Sequence, residues 1–277
     1  MSNIKVIEKE GKEPGKTITI LAGIHGNETC GIKAFDEIIP NIEIKKGKVI
    51  FIYANLEAIN KGKRFIEYNL NRSFFKNQID EIKNTIEGKT AREIINILEK
   101  TDFLLDIHSS NTHSTTPFII CEKNSFEIAK KLPFDIITYN WDKFEPGSTE
   151  YYMNLKNKIG ICIECGFTSD KRSEEKAKDS IMTFLNILGA IKNKRINKNK
   201  QEYYKIIDLY KNKDAKFEKD REFNDFYMLK EKTLIGKEGV KKIYLEKGKV
   251  LIFVRNRDKT NEECFIIAEK REEDNLS

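Results

Sequence analysis

Two histidines and a glutamate stand where this sequence could form a metal site. His25 and Glu28 lie three residues apart in the segment Gly23-Ile-His-Gly-Asn-Glu28, soon after the β-branched run 17–21. An imidazole nitrogen and a carboxylate oxygen are both ordinary zinc ligands. The two glycines permit a tight turn that could aim both side chains at one point. A surface pair or a helix cap has the same spacing, so this segment alone leaves the metal site open.

A second histidine, His108, closes the apolar stretch 103–108. A lone histidine in such a place is more often a hydrogen-bonded core residue than a ligand. The chain has only three histidines, however, and two of them end apolar strands. His25, Glu28 and His108 together would give a His, Glu, His set with one zinc position open, which is typical of catalytic sites. The third histidine, His113, lies in a polar loop, and we predict that it is a surface residue.

Two carboxylates accompany these candidate ligands. Glu164 follows the apolar run 159–163, and an ionised side chain there is costly unless something requires it. It could act as a general base, because burial raises a carboxylate pKa toward working pH. A capping or ion-paired glutamate is the simpler alternative. Asp106 lies two residues before His108 on the same side of the strand, and could reach the metal site or orient a ligand.

An irregular segment, 64–75, carries two arginines among aromatic residues. Arg72 could clamp a carboxylate with Asn71 donating a further hydrogen bond, and Arg64 could face charge that develops on a carbonyl oxygen. The residue types alone favour a simpler explanation, in which both arginines are solvated or paired with Glu67 and Asp80.

The spacing of apolar residues predicts alternating strands and helices through the first two-thirds of the chain. Predicted helices are 29–39, 90–100, 125–132 and 173–191, with another that Ser148 or Thr149 caps; predicted strands are 17–21, 48–53, 103–108, 118–121, 135–139 and 159–166. A helix between two strands favours a right-handed crossover. We therefore predict an α/β fold with a mixed, mostly parallel sheet flanked by helices. In such sheets ligands bind beyond the carboxyl ends of the strands, where His25 falls.

Composition excludes several classes of protein. The formal charge of +6 comes from 50 basic and 44 acidic residues spread along 277 residues, which is too diffuse for nucleic acid but would suit an anionic substrate. Five irregularly spaced cysteines indicate no disulfide framework and are expected in a reducing cytoplasm. No apolar run has signal-peptide or membrane-spanning length, so we expect a cytoplasmic protein without membrane contact. A homo-oligomer has no support in the sequence.

These motifs resemble the succinylglutamate desuccinylase and aspartoacylase family, part of the wider zinc carboxypeptidase group. The resemblance rests on four motifs in order: Gly23-Ile-His-Gly-Asn-Glu28, Arg64 with Asn71-Arg72, Asp106-Ile-His108 and Glu164-Cys-Gly166. It implies that one zinc ion per chain is held by His25, Glu28 and His108. It also implies that Glu164 activates water, that Arg64 steadies the oxyanion, and that Asn71 and Arg72 hold a substrate carboxylate.

The sequence departs from this family in one respect. The named activities act on acyl amino acids with an extra carboxylate, usually gripped by an arginine between the second histidine and the catalytic glutamate. No arginine occurs from Ser109 to Ile163 here. Lysines lack the fork geometry of a guanidinium, so N-acetylaspartate and N-succinylglutamate are both in doubt as substrates.

The chain changes character after a Lys/Asn-rich stretch, 192–200, which we interpret as a linker. Apolar segments at 249–255 and 264–268 are separated by turns and indicate strands. We therefore predict a zinc hydrolase catalytic domain at 1–195 and a smaller β-rich C-terminal domain at 201–277. In the resembled family such a domain leans over the active site. The sequence does not indicate which tyrosines, if any, enter it: Tyr203, Tyr204, Tyr210, Tyr227 or Tyr244.

The leading hypothesis is a zinc-dependent amidohydrolase that deacylates a small carboxylate-bearing amide. A metallocarboxypeptidase that trims a free C-terminus would use the same chemistry. A relative without catalysis, which binds metal or a small acid, is a hypothesis of another class. Retention of a candidate base, Glu164, argues against it, because a binding module needs no base.

Overall fold

The structure, a computed structural model, describes residues 2–112, 115–192 and 200–273. His113 and most of the predicted linker lie outside the described residues. The strands are β1 Lys5–Glu10, β2 Glu13–Ala22, β3 Lys46–Tyr53, β4 Phe103–Ser110, β5 Phe118–Cys121, β6 Ile136–Tyr139, β7 Ile159–Phe167, β8 Glu202–Lys211, β9 Phe217–Lys219, β10 Tyr227–Met228, β11 Thr233–Glu238, β12 Lys241–Leu245, β13 Val250–Ile252 and β14 Glu263–Arg271. The α-helices are α1 Cys30–Ile38, α2 Leu56–Lys61, α3 Asp80–Lys83, α4 Ile86–Leu98, α5 Phe126–Ala129, α6 Thr149–Leu155 and α7 Lys171–Ile187.

An eleven-stranded mixed sheet organises the molecule, in the order β1-β3-β2-β4-β7-β5-β6-β8-β14-β13-β10. Its centre is parallel: β3, β2, β4 and β7 run in one direction as neighbours. The carboxyl ends of these strands therefore meet at one edge. The predicted α/β fold with a mostly parallel mixed sheet is confirmed.

Helices cover both faces of the central strands because each strand is apolar on both sides. On one face, α1 and α7 pack through residues such as Phe35 and Phe184. On the other face, α4 and α6 pack through residues such as Ile94 and Tyr152. The result is three layers, with the sheet buried between helices. No helix within the described ranges is long and apolar enough to cross a membrane.

The C-terminal segment is rich in strands, as predicted, but most of them extend the large sheet. Strand β8 pairs in parallel with β6, and β14, β13 and β10 follow it in antiparallel order. Only β9, β11 and β12 form a separate antiparallel sheet. The large sheet thus continues across the predicted boundary between 195 and 201. The division into two domains stays a prediction, and position 195 lies outside the described residues.

A buried acid, Glu238, ties the small sheet to β8. Its Oε1 accepts hydrogen bonds from the backbone N–H groups of Lys213 and Asp214, both at 2.7 Å. The Tyr210 hydroxyl donates to its other oxygen. The Asp214 N–H and the Tyr210 hydroxyl, with smaller contributions from neighbouring N–H groups, lower the pKa of Glu238 to about 2. A carboxylate held this way stabilises the fold while it is ionised.

We expect Glu238→Gln to lower the free energy of unfolding by about 1–3 kcal/mol at pH 7, because two backbone donors lose a charged acceptor. The folded pKa lies below the ordinary value, so this stabilisation is complete above pH 4.5 and is lost as the pH falls toward 2. Urea denaturation at pH 7 and pH 3 should therefore show a smaller difference between variant and wild type at pH 3. The exposed Glu218→Gln is the control and should change little; an equal loss in both variants would contradict the assignment.

Candidate active site

The turn between β2 and α1 carries two of the candidate ligands, and its glycines are sterically required. Gly23 adopts φ +76°, a conformation that L side chains rarely adopt. A Cβ at Gly26 would lie 2.2 Å from the backbone carbon of Ala58. This close approach lets His25 and Glu28 turn inward, and both side chains are buried.

The third candidate ligand, His108, lies on the neighbouring strand β4. β2 and β4 pair in parallel with Ala22 opposite Ile107, so His108 lies just beyond the point where β2 ends. The ligand atoms of His25, Glu28 and His108 all lie within 4.8 Å of one another, and all three residues are buried. Far-apart parts of the chain are thus brought to one point, as the sequence predicts.

The donor atoms of this group fit a metal ion. His25 Nδ1 lies 2.8 Å from Glu28 Oε1, yet this buried nitrogen makes no hydrogen bond. His108 Nδ1 lies 3.0 Å from Glu28 Oε2. Two imidazole nitrogens therefore face the same carboxylate. Zinc bonds of about 2 Å to a tetrahedral set of nitrogen and oxygen donors require ligand atoms this close together.

Polar groups on the far side of each imidazole fix its orientation. Asn69 Oδ1 lies 3.0 Å from His25 Nε2, an arrangement that leaves Nδ1 free to act as a lone-pair donor. Asp106 Oδ2 lies 3.3 Å from His108 Nε2, although the pair is not aligned as a hydrogen bond. The Thr149 hydroxyl donates to the same Asp106 oxygen at 2.5 Å. Asp106 thus lies behind His108, the orienting position considered from the sequence.

Burial and charge act differently on the two histidines. Burial lowers the pKa of His25 to about 4, outweighing the attraction of Glu28. Burial also opposes protonation of His108, but the adjacent Asp106 and Glu28 outweigh it and raise the pKa of His108 well above its ordinary value. A neutral His25 has the lone pair that a metal ligand needs. His108 must release its proton when it binds a metal ion.

Glu164 lies beside the histidines rather than at a distant strand end. β4 and β7 pair in parallel with His108 opposite Glu164. Among the described residues its buried Oε2 has no hydrogen-bond partner and its carboxylate has no cation within 4.0 Å, so the capping and ion-pair alternatives do not describe it there. Burial, followed by repulsion from Glu28, raises the pKa of Glu164 to about 8. A carboxyl group with this pKa can accept and return a proton near neutral pH.

Arg64 contacts the candidate metal ligands directly. Its Nη1 lies 2.8 Å from Glu28 Oε1. The alternative pairing with Glu67 is wrong, because Glu67 instead accepts a hydrogen bond from the backbone N–H of Ile86. Arg64 also lines the pocket.

A buried acid that sequence reasoning missed holds the irregular segment in place. Glu87, at the start of α4, accepts backbone hydrogen bonds from Ile66, Glu67 and Tyr68 at 2.7, 3.1 and 3.1 Å. Three N–H groups converging on one carboxylate satisfy its buried charge. The segment between Arg64 and the 3₁₀ turn Leu70–Arg72 is thereby fixed against the sheet. The only signal in the sequence was an acidic residue in the first turn of a helix.

Asn71 and Arg72 line the same pocket, but Arg72 already has acidic partners. It forms ion pairs with Glu145 and, at 3.6 Å, with Glu263 of β14. The predicted pairing of Arg72 with Asp80 is therefore wrong. Asn71 Oδ1 is buried without a hydrogen-bond partner. Burial raises the pKa of Glu145 to about 7 in spite of Arg72, so this cluster is close to charge balance.

The C-terminal segment contributes one wall of the pocket. Among the described residues that line it, tyrosine is absent, so none of the five tyrosines considered from the sequence enters the site. Two arginines from the C-terminal segment, Arg255 and Arg257, line it instead. Sequence reasoning missed both, because they follow the apolar run that ends at Val254 and no motif marks them.

Comparison with known proteins shows which proteins this chain resembles. The sequence profile of the succinylglutamate desuccinylase/aspartoacylase catalytic domain matches residues 14–191. A succinylglutamate desuccinylase of Pseudomonas fluorescens (strain Pf0-1) is 37% identical over 75 residues, 26% of this chain and 22% of the relative. A probable aspartoacylase of Nostoc sp. is 26% identical over 164 residues, 54% of each chain. The chain thus aligns with between about a fifth and half of the length of these two curated relatives.

Solved structures show the same fold over nearly the whole chain. The crystal structure of a succinylglutamate desuccinylase from Vibrio cholerae superposes with a TM-score of 0.80 at 19% identity, covering 97% of this chain and 87% of the other. The product-bound ectoine utilization protein EutE (DoeB) from Ruegeria pomeroyi gives a TM-score of 0.74 at 19% identity, covering 96% and 88%. Fold and site define an α/β protein with a mixed sheet and a possible His, Glu, His metal site at the carboxyl ends of its central strands. The chain belongs to the succinylglutamate desuccinylase/aspartoacylase family.

We expect Arg72→Gln to destabilise the protein by about 1–3 kcal/mol, because it leaves the carboxylates of Glu145 and Glu263 without Arg72 in a partly buried site. The measurement is urea denaturation at pH 8.5, above the pKa of about 7 of Glu145. The double variant Arg72→Gln/Glu145→Gln should recover at least half of the loss, since one unpaired charge is removed. A double variant whose loss equals or exceeds that of Arg72→Gln would show that these ion pairs do not hold Arg72.

Proposed function

We propose that this protein is a zinc-dependent amidohydrolase that removes the acyl group from a small N-acyl amino acid or a related carboxylate-bearing amide. The observation that carries the proposal is the pairing of His108 with Glu164 across two neighbouring strands. It brings the half-buried Glu164, whose Oε2 is buried and whose pKa is about 8, beside three converging ligand atoms. Membership of a family whose relatives are named as desuccinylases and aspartoacylases supports the reaction class.

In this proposal His25, Glu28 and His108 hold one zinc ion per chain. The ion supplies a Lewis acid that polarises an amide carbonyl and makes water easier to deprotonate. Asn69 and Asp106 keep the two imidazoles in the orientation that exposes their lone pairs.

Glu164 is the proposed proton carrier. Its carboxylate accepts a proton from the attacking water and passes a proton to the nitrogen of the leaving amine. Arg64 is the proposed partner of the negative charge that develops on the carbonyl oxygen. Arg64 contacts Glu28 and lines the same pocket.

The substrate is proposed to be anionic. Asn71 and Arg72 are our proposed carboxylate-binding pair, since both line the pocket and both side chains carry N–H groups that can donate to a carboxylate. A carboxylate at this point would share Arg72 with Glu145 and Glu263. We also propose that 1–195 carries the zinc chemistry and that 201–277 completes the pocket wall.

Two other functions use parts of the same site. A metallocarboxypeptidase would bind the terminal carboxylate of a peptide at Asn71 and Arg72. A metal-binding or acid-binding relative without catalysis would keep the ligands but would not require Glu164, whose Oε2 is buried without a hydrogen-bond partner among the described residues. The enclosed position of Glu164 therefore favours an enzyme.

Zinc binding is the first prediction. Purified wild type, stripped with chelator and resupplied with zinc, should bind close to one equivalent, measured by atomic emission, and its melting temperature should rise. His25→Ala should lose most of this zinc and the thermal shift. His113→Ala is the matched control, because the sequence predicts that this histidine is no ligand. Activity that survives intact in a zinc-free His25→Ala protein would overturn the scheme.

Hydrolysis is the second prediction. The zinc-loaded protein should cleave members of a panel of N-acetyl and N-succinyl amino acids faster than it removes C-terminal residues from short peptides, followed by detection of the released amine. A preference for peptides would favour the carboxypeptidase. Zinc binding without turnover across both panels would favour the relative without catalysis.

Glu164→Gln is the control for that experiment. It is nearly isosteric with the wild type, so it should keep its zinc while kcat falls by about 10²–10⁴-fold through loss of the proton carrier. A variant that keeps wild-type kcat would remove Glu164 from the mechanism.

A further inference from the structure

Four arginines border the pocket, and their charges are satisfied to different degrees. Arg64 contacts Glu28, and Arg72 contacts Glu145 and Glu263. Arg257 donates from Nε to the backbone oxygen of Glu263 at 2.6 Å. The fourth, Arg255, has no carboxylate oxygen of any described residue within 4.0 Å, and its buried Nε has no hydrogen-bond partner.

Arg255 nevertheless occupies a defined position. Its guanidinium carbon lies 4.9 Å from the centre of the Phe253 ring, which also lines the pocket. A cation held over an aromatic face keeps its charge, whereas an ion pair neutralises it. The ring therefore supports Arg255 and leaves its N–H groups available to a ligand.

Backbone hydrogen bonds hold Phe253 and Arg255 in position. Phe253, directly after β13, adopts φ +57°, which is unusual for a bulky residue. Its N–H donates to Asp225 Oδ1 at 2.7 Å, and the N–H of Arg255 donates to the Cys264 oxygen at 2.9 Å. Strained backbone that its surroundings fix in this way is typical of functional positions.

We infer that Arg255 binds an anionic group of the substrate, a carboxylate remote from the scissile amide, and that it thereby determines specificity. This inference rests on the proposed function. It supplies from the C-terminal segment the arginine that 109–163 lacks. The substrate class is an acyl amide with two carboxylates, one for Asn71 and Arg72 and one for Arg255.

The charge arrangement explains why we assign the remote carboxylate to Arg255. A partly buried cation with no carboxylate of a described residue within 4.0 Å is unfavourable, and an incoming carboxylate removes that cost while it gains two parallel hydrogen bonds. A neutral carboxamide at the same place gains much less. Arg72, already facing two acids, discriminates less between a carboxylate and a carboxamide.

The first test needs no turnover. Isothermal titration calorimetry on the zinc-loaded protein should show that succinate binds at least about tenfold tighter than succinamate, which has the same shape with one carboxylate replaced by a carboxamide. In Arg255→Gln this preference should fall to near unity, and Arg255→Lys should keep part of it because the charge remains without the fork. The matched control is Arg221→Gln: Arg221 is exposed and lies 5.1 Å from the Phe223 ring, outside the pocket.

The second test uses the acyl amide panel. For a substrate with two carboxylates, Arg255→Gln should lower kcat/KM by about 100-fold, mainly through KM, with a change under about threefold for the matched carboxamide. An unchanged succinate preference in Arg255→Gln would overturn the inference, as would an equal loss for carboxylate and carboxamide. Loss of succinate preference in a protein that hydrolyses no amide would instead overturn the proposed function and leave the Arg255 site standing.

Discussion

The carboxylate of Glu28 is the interaction on which the rest of the site depends. One oxygen faces His25 and Arg64, and the other faces His108 and the backbone N–H of Ser109. Burial opposes its ionisation, but the two histidines outweigh burial and hold the pKa of Glu28 well below its ordinary value. A buried, ionised carboxylate is tolerated only while such partners surround it. Glu28 therefore needs partners from three parts of the chain. These are the turn after β2, the end of β4 and the segment that carries Arg64.

The parallel centre of the sheet makes that meeting possible. Side chains two residues apart on a strand share a face, so Asp106 lies behind His108 while Ile107 packs into the core. The register between β4 and β7 then puts Glu164 level with His108. A shift of one residue in that register would turn Glu164 to the opposite face. The pairing of β4 with β7 therefore fixes the position of Glu164 relative to His108.

Residues of the first two-thirds of the chain could be predicted from the sequence because their signals are local. Apolar runs gave β4, β5 and β7 nearly to the residue, and the break after β2 marked His25 and Glu28. The partners of Arg64 and Arg72 were wrong, because ion pairing between residues such as Arg72 and Glu263 depends on contacts far along the chain. The continuation of the large sheet into β8 and β14 was missed for the same reason. Whether an apolar run joins a large sheet or a small one is decided by pairing, which leaves no local pattern.

Charge balance in the pocket links the C-terminal segment to function. β14 brings Glu263 to Arg72, and Lys211 of β8 lies 3.6 Å from the same acid, so this cluster is balanced by its own members. The turn after β13 brings Arg255, and there the protein supplies an aromatic ring instead of an acid. The C-terminal segment therefore provides an acidic partner for Arg72 but an aromatic partner for Arg255. Because the candidate ligand atoms and Glu164 all come from the first 164 residues, substitutions in the C-terminal segment change the charge of the pocket wall without replacing any of these residues.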